Sequence, residues 1–381
     1  MRHTVPTPAN PAAEWRNEST QKPPAAAVYA REANAAQILK AAHADTATVW
    51  TGDFHNAKQV LSAVKKRVRG PKNSRPSENA TDVQNDRSAR AAAFHRHRMK
   101  QAQQSRIINM LAVEIGAGFT LDLPRASDVR AALIDVYGIE NTEPFLLPLN
   151  QLLGFTGAHE WHKKGVYVPV LDARIHVPFG VFSPLRGEYL DLIAQAPLPE
   201  NVQTAFDIGT GSGVIAAVLA KRGIPEIIAT DTNPRAVKCA EANTDRLKTD
   251  ARIRIETVDL FPENQTADLI VCNPPWLPAK PTSAVESALY DPDSAMLRAF
   301  LNGVKGRLNP HGEAWLIMSD LAEHLGLRAP DFLERCFQTA SLTVAGVLKT
   351  KPQHGKAADT ADPLAFARNL ETTSLYRLKA V

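Results

Sequence analysis

The chain has 381 residues, of which 44% are hydrophobic, and a formal net charge of +4. This length and composition give enough apolar surface for a buried core and leave room for two domains. It contains no run of about eighteen apolar residues and its N-terminus lacks the apolar core of a signal peptide, so we expect a cytoplasmic protein without a membrane span. Three widely spaced cysteines are typical of reduced thiols rather than a disulfide framework or a zinc cluster: Cys239, Cys272 and Cys336.

Charge is distributed unevenly along the chain. Residues 1–110 contain 18 Lys or Arg and 8 Asp or Glu, which leaves the remainder net acidic. A basic extension on a mildly acidic enzyme domain predicts attraction to an acidic partner, such as RNA or a ribosomal surface. The alternative is a solvated arm without a specific partner.

The N-terminal part of the chain is predicted to be mostly helical. Residues 1–27 are rich in Pro and Ala without a periodic pattern, which predicts a disordered arm. Residues 28–70 predict a basic helical segment, 71–87 a polar linker, and 88–160 a helical domain. The remaining residues, 161–381, are predicted to form the catalytic domain.

Within the catalytic domain, short extended segments alternate with helical ones. A predicted hairpin over 166–177 leads into this pattern, and the alternation implies a parallel sheet covered on both faces. The last two strands leave no room for a helix between them and should pair antiparallel. The predicted strands are 203–208, 226–230, 252–258, 267–272, 312–318, 341–349 and 372–379, and the predicted helices lie near 187–195, 213–222, 233–247, 294–308 and 328–338.

A glycine-rich turn follows the first of these strands. Asp207 ends the hydrophobic run, and three glycines then lead into an apolar helix: Gly209, Gly211 and Gly213. Glycine lets the backbone approach a ligand closely, and the free N–H groups at a helix N-terminus suit a carboxylate. Turns of this kind also bind dinucleotides, so the turn alone is weak evidence.

A second motif, Asn273-Pro274-Pro275-Trp276, follows the fourth strand and, with the turn, indicates a methyl-transfer site. With these motifs, residues 166–381 resemble the class I S-adenosylmethionine-dependent methyltransferases. The resemblance implies an α/β fold: a doubly wound, seven-stranded, Rossmann-like sheet with an antiparallel last strand, here preceded by the mostly helical N-terminal region. The motif resembles the Asn-Pro-Pro-Tyr/Phe motif of enzymes that methylate planar nitrogens, although Trp276 replaces the usual Tyr or Phe.

S-adenosylmethionine is the cofactor implied by the resemblance, and the residue chemistry agrees with it. Asp207 can face the methionyl ammonium group, which a dinucleotide lacks, and Asp231 can accept from both ribose hydroxyls. Asp259 resembles the family's acceptor for the adenine amino group, with Leu260 and Phe261 placed to pack on the ring. Asp231 could instead cap the following helix. The predicted cofactor set is Asp207, Gly209, Thr210, Gly211, Gly213, Asp231, Asp259, Leu260 and Asn273.

The predicted catalytic residues are those of the second motif. A planar nitrogen attacks poorly while its lone pair is delocalised, and two acceptors that hold its hydrogens help it to pyramidalise: the Asn273 side-chain oxygen and the Pro274 carbonyl. Pro275 fixes φ and restricts its predecessor, so that this carbonyl stays aimed. Trp276 can stack on the planar acceptor. The alternative is a simple turn that ends a strand.

Arg186 and Glu188 lie where related enzymes keep a segment that helps to form the acceptor pocket. Glu188 could instead stabilise the first turn of its helix, and Asp291 and Asp293 could line the acceptor side or cap a helix. Three histidines, His159, His162 and His176, lack convincing metal-ligand spacing with a carboxylate, as do His95 and His97, so we expect no metal.

The leading prediction is N-methylation of a glutamine side-chain amide in a translation protein, such as a release factor or ribosomal protein. The continuation Trp276-Leu277-Pro278 resembles the Tyr-Ile-Pro of the glutamine methyltransferases. The alternative is an rRNA or DNA amino-group methyltransferase, acting on adenine N6 or guanine N2, to which the basic region would lend phosphate contacts. A small-molecule N-methyltransferase and a non-catalytic RNA-binding protein are further alternatives.

Overall fold

The computed structural model describes residues 3–70, 86–185, 187–249, 251–283, 285–352 and 362–381. They fall into an N-terminal unit, drawn from 1–76, 95–160 and 282–284, and a C-terminal unit, drawn from 77–94, 161–281 and 285–381. Most of the predicted linker, residues 71–85, lies outside the described residues. No helix among the described residues is long and apolar enough to cross a membrane.

The N-terminal unit is built on a six-stranded sheet with the order β1-β2-β6-β5-β4-β3. Its strands are β1 His3–Val5, β2 Ala13–Trp15, β3 Ala26–Ala30, β4 Thr46–Trp50, β5 Leu111–Ile115 and β6 Phe145–Pro148. The helices of this part of the chain are α1 Ala35–His43, α2 Phe54–Arg69, α3 Arg87–Ile108, α4 Arg130–Tyr137 and α5 Leu149–Lys164. The predicted helical character is therefore correct only for part of this region.

The prediction of a disordered arm over 1–27 is wrong for the described residues 3–27. β1 and β2 pair antiparallel, and β2 pairs with β6, so that Trp15 lies opposite Leu146. Val5 and Trp15 are buried in the core of the unit. Strands of three residues are too short to show a periodic pattern, and their stabilising partners lie far away in the sequence.

Strands also interrupt the two segments that were predicted to be helical. β4 lies inside 28–70, and β5 and β6 lie inside 88–160. All four residues of β6 and four of the five in β4 are buried. A strand that is buried on both faces reads as a short apolar run, which cannot be distinguished by periodicity from a buried helical segment.

The C-terminal unit contains the predicted doubly wound, seven-stranded sheet, which confirms the fold class. After the hairpin of β7 Val166–Val168 and β8 Ala173–Ile175, the strands are β9 Thr204–Ile208, β10 Glu226–Asp231, β11 Arg252–Thr257, β12 Ala267–Cys272, β13 Leu308–Ser319, β14 Leu342–Thr350 and β15 Thr373–Ala380. Their order is β11-β10-β9-β12-β13-β15-β14. The last strand, β15, runs antiparallel to both of its neighbours.

Helices cover both faces of this sheet and bury its central strands on both sides. Along β12, Leu269 and Val271 join one hydrophobic cluster while Ile270 and Cys272 join the other, as expected for side chains that alternate across a strand. The helices are α6 Glu188–Gln195, α7 Val214–Lys221, α8 Pro234–Leu247, α9 Ala295–Val304, α10 Leu321–His324, α11 Phe332–Thr339 and α12 Ala365–Arg368.

The first two turns of α3 belong to the C-terminal unit. Phe94 is 2% exposed and packs in a cluster with Leu321, Leu325 and Leu364. The Arg87 guanidinium also donates a 3.2 Å hydrogen bond to the Gly326 carbonyl. The start of this basic helix is therefore part of the core of the C-terminal unit.

The strand order reverses between β9 and β12, and this reversal positions the candidate site. The chain runs outward through β10 and β11 and then returns to β12 beside β9, with Cys272 opposite Ile208. Open α/β sheets bind ligands outside the carboxyl ends of the strands at such a switch point. Gly209 and Asn273, the residues that follow, therefore begin side by side.

Candidate active site

The glycine turn lies between β9 and α7, and all three of its glycines have positive φ. The φ angles are +73° at Gly209, +57° at Gly211 and +78° at Gly213, in the region that favours glycine. A Cβ at Gly213 would lie 3.0 Å from the Ala240 Cα, whereas one at Gly211 would meet no atom within 4 Å. Gly213 is therefore needed for packing, while Gly211 borders open space where a ligand can approach.

Strand β10 holds this turn in place. The Gly209 and Thr210 N–H groups both donate to the Thr230 carbonyl, at 2.9 and 2.8 Å. Asp231, the next residue, accepts from the Gly211 N–H at 3.0 Å with one carboxylate oxygen and from the Asn233 N–H at 2.8 Å with the other. Asp231 thus links the turn to the entry of α8.

The N-cap of α8 is Asn233, not Asp231. The Asn233 side-chain oxygen accepts from the Arg235 N–H at 3.0 Å, and Pro234 occupies the first helical position. Asp231 precedes the cap and is half-buried at the end of β10. The alternative assignment of Asp231 as the helix cap is therefore wrong.

Asp207 is a fully buried carboxylate with one oxygen satisfied. Its Oδ2 accepts from the Thr210 hydroxyl at 2.6 Å and from the Ala216 N–H at 3.0 Å. Its Oδ1 has no hydrogen-bond partner among the described residues. Burial raises the pKa of Asp207 to about 7, against the lowering effect of both hydrogen bonds, and the charge of Asp231 raises it further. A buried acceptor without a partner costs about 1–3 kcal/mol, so a cationic group of a ligand would be stabilised here.

The second motif follows β12 and has an internal hydrogen bond. The Trp276 indole N–H donates to the Asn273 Oδ1 at 2.9 Å. Because the indole N–H can only donate, it requires the oxygen of the amide and fixes the orientation of the carboxamide. Pro274 is buried and the other three residues are half-buried. An amide oxygen has two lone pairs, so Asn273 keeps one acceptor site.

Asp291 fastens the loop after this motif to the start of α9. Its two carboxylate oxygens accept from the Met296 and Leu297 N–H groups at 3.0 and 3.1 Å, and its own N–H donates to the Leu277 carbonyl at 2.9 Å. Asp291 therefore satisfies helix N–H groups, as in the capping alternative. The Met296 methyl group in turn lies 3.1 Å from the position of a Cβ on Gly209.

The residues after β11 only partly follow the prediction. Asp259 is exposed, and Leu260, with a φ of +58°, accepts from the Thr230 hydroxyl at 2.6 Å through its carbonyl. Phe261 stacks on Phe300, with ring centroids 5.8 Å apart and planes at 13°. The face of the Phe261 ring that contacts Phe300 is therefore used for core packing rather than for a ligand. Only the tertiary structure reveals that these two rings are paired.

Of the two predicted acceptor-side residues, the structure describes only Glu188. Arg186 lies outside the described residues. Glu188 is 7% exposed in the first turn of α6, where an acidic residue complements the helix dipole. The next residue, Tyr189, is buried, and burial raises its pKa, with the charges of Asp207 and Glu188 adding to the effect. Tyr189 thus lies near Asp207, and nothing in the sequence distinguishes it from an ordinary core aromatic.

Two of the histidines considered as metal ligands have hydrogen-bond partners within the protein. His159 Nδ1 lies 2.6 Å from the Asp135 carboxylate in the N-terminal unit. His176 Nδ1 lies 2.8 Å from the His162 carbonyl in the C-terminal unit.

The sheet order, the glycine turn at the switch point and the neighbouring Asn-Pro-Pro motif define a class I methyltransferase domain. Residues 174–346 match the family model described as methyltransferase small domain. The match agrees with the resemblance of this part of the chain to S-adenosylmethionine-dependent methyltransferases.

Curated relatives and solved structures are similar to part of the chain. A release factor glutamine methyltransferase of Cereibacter sphaeroides is 34% identical over 139 residues, which cover 32% of this chain and 49% of that protein. A tRNA1(Val) (adenine(37)-N6)-methyltransferase of Shewanella halifaxensis is 29% identical over 193 residues, covering 49% of this chain and 73% of the relative. The crystal structure of a ribosomal protein L11 methylase from Lactobacillus delbrueckii subsp. bulgaricus superposes with a TM-score of 0.38 at 19% identity, covering 56% of this chain and 91% of that one.

The chain spans only part of the release factor enzymes that it matches, 49% of one and 62% of another.

Proposed function

We propose that the protein transfers the methyl group of S-adenosylmethionine to a planar nitrogen of a macromolecule in the cytoplasm. The leading acceptor is a glutamine side-chain amide of a translation protein, such as a release factor or ribosomal protein. One observation carries the proposal: the pairing of Cys272 with Ile208 places the Asn273 motif beside the glycine turn. An acceptor held by Asn273 is then next to a cofactor held by the turn.

The residues of the crevice fit S-adenosylmethionine. The unpartnered Oδ1 of Asp207 would accept from the methionyl ammonium group, and the first N–H groups of α7 suit the methionyl carboxylate. Each oxygen of Asp231 accepts only one N–H, so both retain an acceptor site for a ribose hydroxyl. Asp259 and Leu260 would meet the adenine end. The cofactor, when bound, supplies a methyl group activated by its sulfonium.

Asn273 and Pro274 would prepare the acceptor nitrogen. The remaining lone pair of the Asn273 oxygen and the Pro274 carbonyl would each hold one N–H, which favours the pyramidal nitrogen needed for attack. Pro275 keeps the backbone rigid, and Trp276 holds the Asn273 carboxamide. Preorganised acceptors of this kind contribute on the order of 10²–10³ in rate. As the N–C bond forms and the S–C bond breaks, the bonding pair stays on sulfur and one N–H proton passes to solvent.

An amino group of an RNA base is the second candidate acceptor. The basic helices α2 and α3 favour it, and one relative is named as a tRNA adenine methyltransferase. The sequence Trp276-Leu277-Pro278 favours the glutamine amide instead. Arg186 and Glu188 remain proposed acceptor-side residues.

The acceptor class can be decided with a lysate that lacks the gene. The purified protein and radiolabelled S-adenosylmethionine are added, and the labelled product is treated with protease or with nuclease. We expect protease to release the label and nuclease to leave it in place, because the labelled product is then a protein. If nuclease releases the label and protease does not, the acceptor is RNA. The matched control is Asn273→Ala, which should give almost no label. Labelling at the wild-type level by this variant would contradict the proposed site.

A further inference from the structure

Two helices contain Lys and Arg but no acidic residue: α2 of the N-terminal unit, and α3, whose turns after Phe94 belong to the same unit. α2 contains five Lys or Arg and the 22 residues of α3 contain six, and neither helix has an Asp or Glu. An ordinary solvated helix mixes both signs, because alternating charges support it through i,i+4 pairs. The composition of α2 and α3 therefore favours an anionic partner over a merely solvated surface.

Two exposed cations of α3, Arg96 and Lys100, lie one turn apart on the same side of the helix. Arg96, Lys100 and Gln104 are spaced four residues apart and share one side of the helix, with about 6 Å of rise between successive members. The opposite side of α3 faces the rest of the N-terminal unit. There the Ala102 carbonyl accepts from the Gln21 side chain at 3.0 Å and the Arg106 guanidinium donates to Asp45 at 2.6 Å.

The end of α2 adjoins this row. The Gln104 side chain donates a 3.2 Å hydrogen bond to the Val68 carbonyl, in the last turn of α2. The same turn carries Lys66, Arg67 and Arg69, all exposed. We name five exposed cations near the junction of the two helices the cation row: Lys66, Arg67, Arg69, Arg96 and Lys100.

The cation row has no acidic partner among the residues that the structure describes. Two carboxylates of the same unit are paired with other cations, since Asp45 contacts Arg106 and Asp53 contacts Arg125. Positive charge is also crowded, because burial and the charge of Arg69 together lower the pKa of Lys65. Positive charge without acidic partners on two adjacent helices attracts an anion that carries several negative charges along its length.

We propose that the cation row binds the phosphate backbone of an RNA strand. A strand offers phosphates along its whole length, and Lys, Arg and the neutral donors beside them, such as Gln101 and Gln103, are the side chains that contact phosphate oxygens. The choice of RNA over DNA rests on the proposed function in translation. Binding here positions the RNA, or a protein bound to it, independently of the methyl-transfer step.

The test measures binding of a fluorescently labelled single-stranded RNA of about 20 nucleotides to the full chain, without methyl donor, between about 50 and about 200 mM salt. The variant is Arg96→Glu with Lys100→Glu, and the matched control is Arg31→Glu with Lys40→Glu. The control residues are exposed in the same unit, and both variants change the net charge equally. We expect the row variant to weaken binding at least about tenfold and to reduce the salt slope by about 2, while the control changes affinity by less than about threefold.

Unchanged RNA binding in the row variant would overturn the proposal, and so would equal weakening in the control variant. Polyglutamate is used as a second, acidic probe in the same assay. If the row variant loses binding to polyglutamate but not to RNA, the cation row binds an acidic protein instead. Arg96→Gln with Lys100→Gln repeats the test should the charge reversal prevent folding. Asn273→Ala should bind RNA like the wild type, so a failure of the proposed methyl transfer and a failure of this surface are separable. Equal binding of DNA of the same sequence would remove the preference for RNA.

Discussion

The Trp276 indole N–H donates a 2.9 Å hydrogen bond to the Asn273 side-chain oxygen, so the two residues that flank the proline pair are locked together. Phe, which related motifs use at this position, has no side-chain donor and could not make this contact. Trp276 therefore fixes the Asn273 carboxamide with its oxygen oriented as an acceptor, and this departure from the family pattern has a structural consequence.

Trp276→Phe should lower kcat by about two- to tenfold, since one hydrogen bond of about 0.5–1.5 kcal/mol orients the catalytic amide. The KM for the cofactor should stay unchanged, because Trp276 does not belong to the turn. The check is a double-mutant cycle: in the Asn273→Ala background the Phe substitution should have no further effect on kcat. Fully additive losses would show that the hydrogen bond does not act through Asn273.

Asn273→Ala should lower kcat by on the order of 10² or more and leave cofactor affinity nearly unchanged. The reason is that the contact with the acceptor nitrogen strengthens only as this nitrogen pyramidalises. Single-turnover rates and calorimetric binding of S-adenosylhomocysteine measure the two quantities separately. Parallel losses of affinity and rate would instead assign Asn273 a structural role.

S-adenosylmethionine should raise the thermal stability of the protein, because it binds only the folded state. The stabilisation is about 2.7 kcal/mol at a hundredfold excess over Kd. Asp231→Ala should remove most of this shift by losing the ribose acceptor and the support of the Gly211 N–H. NADH provides the control ligand, and a shift with NADH but not with S-adenosylmethionine would refute the cofactor assignment.

Cofactor affinity should rise with pH up to about pH 7 and then level off. Burial raises the pKa of Asp207 from 3.8 to about 7, so below pH 7 the folded protein holds a proton that must leave before the carboxylate can face an ammonium group. For the same reason the ligand-free protein loses stability as pH rises from about 4 to 7, since only the unfolded chain ionises readily there.

Calorimetry from about pH 5.5 to about pH 8 tests this, with an expected limit of about tenfold in affinity per pH unit below 7. Asp207→Asn is the matched control and should give weak binding with a flat profile over the same range. A wild-type profile as flat as that of the variant would show that Asp207 does not face the cation.

Phe94→Ala should destabilise the protein by about 3–5 kcal/mol, because Phe94 is a fully buried aromatic side chain in the C-terminal unit. Met99→Ala on the same helix is the control and should change stability by less than about 0.5 kcal/mol, since Met99 is 59% exposed. Chemical denaturation measures both. If both variants lower the free energy of unfolding by similarly small amounts, the start of α3 is not needed for the stability of the C-terminal unit.

Truncation of the basic region would also disrupt the fold. Deleting residues 1–110 would remove Phe94 from the core of the C-terminal unit as well as most of the strands of the N-terminal sheet. Substitutions on exposed cations are therefore the cleaner way to separate RNA docking from folding.

The sequence by itself determined the seven-stranded sheet of the C-terminal unit and the place of its two motifs. Alternating apolar segments specify strands and helices locally, and glycine adopts the positive φ of the turn at the least cost, so β9, the glycine turn and Asn273 could be placed from the pattern alone. The switch point followed from the fold class, since the carboxyl ends of adjacent parallel strands meet at one edge.

Only the tertiary structure decided the N-terminal sheet, the place of Phe94, the stacking of Phe261 on Phe300 and the hydrogen bond between Trp276 and Asn273. Each depends on which distant segment supplies the partner. Local periodicity records how a segment can fold, but a three-residue strand or a single buried ring is stabilised by residues that may be a hundred or more positions away. The same holds for the unpartnered oxygen of Asp207, because a missing partner becomes visible only when all neighbours are in place.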